Sequence, residues 1–198
     1  MKKRVLMGLA VISMIVVLTS CAKKPQAEID AANAAIEAAR TAEAAAYLPV
    51  EFAALQDSLN AVMTAITAKD SKLFKNFNAE AARLAEITTL ANTVAANVAA
   101  RKEEVKTEVS GLLTSIKTVI AENAVLIPKL PRGKEGAAVI EQIKADVATV
   151  DAAVAEAQSL FDNGSYMDAL NKITAAKEKA DGLNAEVKEV LTKARIRF

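Results

Sequence analysis

The residue types that carry most enzyme chemistry are scarce in this chain of 198 residues. It has 1 Cys, 0 His and 0 Trp, so no imidazole is available as a base, a nucleophile's partner or a metal ligand. A single thiol cannot close an internal disulfide or build a cysteine-rich zinc site. Ser, Thr, Asp, Glu and Lys abound, yet no nucleophile sits beside an obvious base and no Gly-rich phosphate loop is present. The densest carboxylates, Glu103, Glu104 and Glu108, alternate with Arg101, Lys102 and Lys106. At helical spacing that pattern reads as a solvated face with i,i+4 pairing rather than a metal site. The chain is therefore expected to be non-enzymatic and to carry no metal. What remains is Cys21, which follows a basic cluster (Lys2, Lys3, Arg4) and an apolar run from Val5 to Leu18.

Residues 1–20 have the parts of a cleaved secretion signal, and their apolar run falls short of the ~20 residues that a membrane-spanning helix needs. The run ends in Leu18-Thr19-Ser20-Cys21, which resembles the lipobox of bacterial lipoproteins. The resemblance implies that Leu18, Thr19 and Ser20 are read by the signal peptidase and that cleavage falls before Cys21. It also implies diacylglycerol on the Cys21 thiol and an acyl chain on the new amine. Several acyl chains, at about 0.8 kcal/mol per buried CH₂, hold a protein stably to a bilayer. In well-studied Gram-negative relatives an Asp after that Cys retains the protein in the inner membrane. Ala22 here implies sorting to the outer membrane, with the body facing the periplasm. No cofactor is expected beyond this covalent lipid.

Loss of residues 1–20 removes three basic residues and no acidic one, leaving 22 basic against 24 acidic side chains. The mature body reads as weakly acidic and mixed in charge, with no polybasic patch and no electrostatic basis for nucleic-acid binding. The 43 Ala against 6 Gly and 4 Pro point to helix throughout.

The apolar spacing predicts an all-α, elongated antiparallel bundle of about five helices. A tether at 21–26 precedes a helix from Ala27 to Tyr47, which Leu48-Pro49 ends. A second helix covers Val50 to Ala68, and Lys69-Asp70-Ser71 forms a turn whose Asp or Ser caps the next. The third and longest runs from Lys72 to Val125, with Phe77, Leu84, Ile87, Ala91, Val94, Val98, Val105, Leu112 and Val119 as its seam. Arg101 and Gly111 are the places where it would bend. The two Pro and two Gly of residues 127–136 form a linker. The fourth helix has a heptad seam from Ile140 to Phe161 without a miss. Asp162-Asn163-Gly164 ends it, Ser165 caps the fifth, and that helix reaches about Arg195. Helix lengths predict two three-helix bundles sharing the long helix as a spine: an N-terminal unit at 27–126 and a hairpin at 137–198 packed on the spine. The exposed side of the spine is a candidate seam for self-association.

Ala34-Ala35-Ile36-Glu37-Ala38-Ala39-Arg40, the Tyr47-Leu48-Pro49 break, Phe52-x-x-Leu55 and Ala65-x-x-Ala68 resemble a family of short alanine-rich bacterial lipoproteins. Those carry a helical hairpin domain of unknown function, and the resemblance covers about residues 27–100. Leu48 stands where that family has Ala, and Lys69-Asp70-Ser71 stands for its Gly-Asp-Tyr turn. Phe161-x-x-Gly164-x-Tyr166-x-x-Ala169 is similar to the turn of a single tetratricopeptide repeat, although such arrays need several stacked repeats. The function expected is that of an envelope lipoprotein with a structural, scaffold or adaptor role toward another envelope protein. The alternatives are an amphipathic-helix protein that lies on a lipid surface and a chaperone-like or tetratricopeptide-like peptide binder.

Overall fold

The computed structural model describes residues 23–72, 75–132 and 136–198. These form α1 (Gln26–Thr41), α2 (Ala44–Tyr47), α3 (Pro49–Asp70), α4 (Asn78–Leu126), a 3-10 turn at Ile127–Lys129, α5 (Gly136–Asp162) and α6 (Tyr166–Lys193), with no strand among the described residues. The chain is an all-α bundle around a long central helix. At 1.5 Å per residue, the 49 residues of α4 rise about 73 Å.

The helix borders follow local chemistry. The expected first helix is two pieces. The amides of Ala42 and Glu43 fold back on the carbonyls of Ala38 and Arg40, Glu43 takes a left-handed φ of 70°, and α2 restarts the chain. Pro49 opens α3 at a position where its missing N–H would have had no partner. α4 begins at Asn78 rather than Lys72. Its first amide donates to Asn76 Oδ1 at 2.9 Å, so neither Asp70 nor Ser71 caps it. Gly164, at φ +83°, lets Ser165 N–H reach Leu160 C=O at 2.9 Å and closes α5 in a Schellman motif. Ser165 is the α6 N-cap residue but makes no side-chain capping bond. Within the expected linker, Ile127–Lys129 form a 3-10 turn. Gly136 is already helical, and a Cβ there would lie 2.3 Å from the Pro131 carbonyl oxygen.

Ion pairs and ring contacts fix the helix directions. Lys24, before α1, meets Asp70 at the end of α3 (3.2 Å), while Glu43, after α1, pairs with Lys102 of α4. α1 therefore runs parallel to the first half of α4 and α3 runs against both. In the second half, Lys106 of α4 lies over the Tyr166 ring at the start of α6, and Glu122 pairs with Lys188 near its end (2.7 Å). Lys172–Glu156 and Lys179–Asp146, each 2.7 Å, lay α5 antiparallel to α6. Two three-helix units thus stand end to end on one spine, and α4 continues unbroken through Arg101 and Gly111. Gly111 is exposed with nothing within 4 Å of its Cβ position, so its cost of about 1 kcal/mol against Ala breaks no packing.

The core follows the predicted seam as far as Val105 and then rotates. Val109, Leu113 and Ile116 are buried beyond it, whereas Leu112 and Val119 are half-buried. A straight helix drifts by about 20° per heptad, and α4 changes partners at this height from α1 and α3 to α5 and α6. In α5 the fully buried seam is Ile143, Val150 and Ala157. The alternate positions Ile140, Val147, Val154 and Phe161 are half-buried. A small cluster of Leu126, Leu130, Ile143, Val187 and Leu191 closes the far end.

Candidate functional site

The residues singled out for lipid attachment and processing, Leu18, Thr19, Ser20, Cys21 and Ala22, lie outside the described residues. The description begins two residues after Cys21. In the described part of the expected tether Pro25 is buried, Gln26 already belongs to α1 and Lys24 is held by Asp70. The described chain thus starts at one end of the bundle, two residues after Cys21 in the sequence.

That end is basic, which the reading of the linear sequence missed. Lys23 and Lys24 precede α1, Lys69 and Lys72 flank the end of α3, and Lys75 precedes α4. Asp70 accepts from Lys75 (2.9 Å) and Lys24 (3.2 Å), and those two ammonium groups, Lys75 first, hold its carboxyl below the ordinary range. Lys69 Nζ lies 2.7 Å from Glu80 and also donates to the Asn76 carbonyl at 3.3 Å. Its hydrogen bond draws Glu80 below the usual carboxylate range. Lys23 and Lys72 are exposed and form no ion pair among the described residues. Five lysines thus share one end with Asp70 and Glu80, and Glu28 and Asp30 stand a turn further back on α1.

A second cluster joins the two units at mid-height. Tyr47 is buried, Lys102 Nζ lies 5.2 Å from its ring centre, and Lys106 Nζ lies 5.9 Å from that of Tyr166. Phe161 packs on Tyr166 with ring centres 5.4 Å apart. Burial raises the Tyr47 hydroxyl pKa, with the Lys102 charge and the Met167 backbone amide pulling the other way. Its pairing with Glu43 raises Lys102. These contacts use aromatic faces and Lys stems as a joint between stacked units.

The remaining candidates are shallow. A polar groove of about 300 Å³ between α1 and α3 is lined by Asn33, Glu37, Arg40, Gln56, Asp57 and Asn60 among others. Glu37 and Arg40 pair with each other across one helical turn. Another groove, between Glu156 and Lys172, is spanned by their own ion pair. Glu104 pairs with Arg101 (2.9 Å) and Glu103 with Lys106 (3.7 Å), so this stretch is a solvated face, with i,i+3 pairs rather than the i,i+4 pairs expected. By length and composition α4 with its 3-10 extension could cross a membrane. Its exposed side carries Thr89, Asn92, Thr93 and Asn97, side chains that are costly to place in hydrocarbon. No protein-family model, curated protein or solved structure matches the chain.

Proposed function

We propose that the chain is a cell-envelope lipoprotein, acylated at Cys21, whose helical rod has a non-catalytic structural, scaffold or adaptor role. The observation that carries this reading is the placement of the only thiol. It ends an apolar run of signal type in a lipobox-like Leu18-Thr19-Ser20-Cys21, and the folded body starts almost at once after it. A rod that begins at its lipid and extends for about 73 Å suits spacing or presentation of a partner better than enclosure of a substrate. Ala22 supports attachment to the outer membrane with the rod in the periplasm. The seams pack inside the bundle, which favours a closed rod over helices that open onto a bilayer. Intact mass and membrane fractionation of wild type beside Cys21→Ser test the reading. Acyl mass and membrane retention in wild type alone support it; two soluble proteins that both lack acyl mass would overturn it.

A further inference from the structure

The basic end sets cations beside two helix starts. α1 and α4 both begin there, and a helix N-terminus carries a partial positive charge that favours carboxylates over cations. Lys23 and Lys24 nevertheless precede α1, and Lys75 precedes α4. Glu28 and Glu80 in the first turns answer part of that field, and Asn76 Oδ1 takes the first amide of α4, yet the lysines at this end outnumber these two carboxylates. Only Lys69 and Lys72, at the end of α3, sit where a helix C-terminus welcomes a cation. The opposite end also has basic residues, but Lys193 and Arg195 stand at the end of α6 and Lys129 just after α4. Those three positions are ones that the fold itself favours, whereas Arg132 precedes α5, which has no acidic residue in its first turn. The shaft between the two ends carries Glu103, Glu104, Glu108, Asp151 and Asp162 on its exposed surface.

We propose that the end bearing Lys23, Lys24, Lys69, Lys72 and Lys75 is a docking tip for a surface of anionic lipid headgroups. It deepens the anchored reading, because acylated Cys21 would deliver this same end to the bilayer. Asp70 and Glu80 hold three of the lysines in place, and Lys23 and Lys72 are left to meet phosphates. The carboxylates of the shaft are repelled by the same surface, so the rod stands on its tip.

The test is partition of the full chain onto vesicles of phosphatidylcholine alone or with about a third phosphatidylglycerol. The anionic vesicles are expected to bind about tenfold more tightly. The gain should vanish near 1 M salt, where the Debye length falls to about 3 Å. It should also be lost in Lys23→Glu/Lys72→Glu, with helicity unchanged, and kept in Lys23→Arg/Lys72→Arg and in Arg132→Glu/Arg197→Glu at the far end. Equal binding to both compositions, or a gain that survives the first double variant, overturns the tip. Failure to bind neutral vesicles counts against the anchor instead and leaves the anionic gain to be read by itself.

Discussion

The two halves of the rod share one spine and hold it differently. In the first half α1 buries Ala32, Ala35 and Ala39 alongside Ile29 and Ile36, and α4 buries Ala91 among Leu84, Ile87, Val94 and Val98; the small side chains let helices approach closely while burying little area. In the second half α6 meets α4 through Val109, Ile116, Ile173 and Val187, together with a buried polar pair. Asn184 donates to Asn123 Oδ1 at 2.8 Å, and Asn123 donates to the Ala180 carbonyl at 3.3 Å. The outer edge of that pair is closed by Glu122, which accepts from Asn184 (3.2 Å) and pairs with Lys188. Close approach fixes the register sterically in one half. A satisfied pair of carboxamides fixes it by hydrogen bonding in the other.

Substitutions that exchange these solutions sharpen the contrast. The largest effect is expected from Ile116→Ala or Ile173→Ala, about 2–5 kcal/mol of lost stability by denaturant unfolding. Amide exchange should show the loss concentrated in the second half. Ala32→Leu overfills the close seam and should cost about 1–3 kcal/mol, confined to the first half. An effect below a few tenths of a kcal/mol would mean that the α1–α4 contact is looser than drawn here. Asn123→Ala strands part of the Asn184 amide and should cost about 1–3 kcal/mol, whereas Asn123→Leu with Asn184→Leu should be near neutral or stabilising. Gly111→Ala, on the open side of the spine, should stabilise by up to about 1 kcal/mol.

The smallest effect is set by pH and belongs to the basic end. Asp70 and Glu80 have lowered pKa values in the folded chain. Their contribution is therefore complete above the ordinary carboxylate range and is lost as pH falls through the lowered values. Acid should loosen the α3–α4 turn as the two carboxylates protonate, and Lys69→Met should flatten the Glu80 part of that response. A carboxyl titration followed by NMR reads both.

The helices were largely legible because Ala content and apolar spacing act locally. Leu84, Ile87, Ala91, Val94 and Val98 form the predicted seam as buried residues, and the spine is unbroken from Asn78 to Leu126. The misses arise where tertiary geometry overrides a strict heptad. Leu113 replaces Leu112 because α4 changes partners, and the left-handed Glu43 interrupts the first helix with no Gly or Pro to announce it. The basic end was invisible for a related reason. Its lysines come from two stretches some 45 residues apart, and net charge averages them away until the fold brings them together.

The uninterrupted spine also bears on how the chain acquires its shape. Isolated helices shorter than about 12–15 residues are marginal in water, but a 49-residue helix lies far beyond that limit. α4 can hold helical structure before its partners arrive. The α5–α6 hairpin, with its short connection, then has a preformed template on which to settle. α1 must return across the whole of α3 to reach the same helix, just as α6 must return across α5: Glu43 and Lys102 are 59 residues apart and Asn123 and Asn184 are 61. The loop-closure cost is thus nearly equal for the two halves, and each can zip onto a spine that already exists.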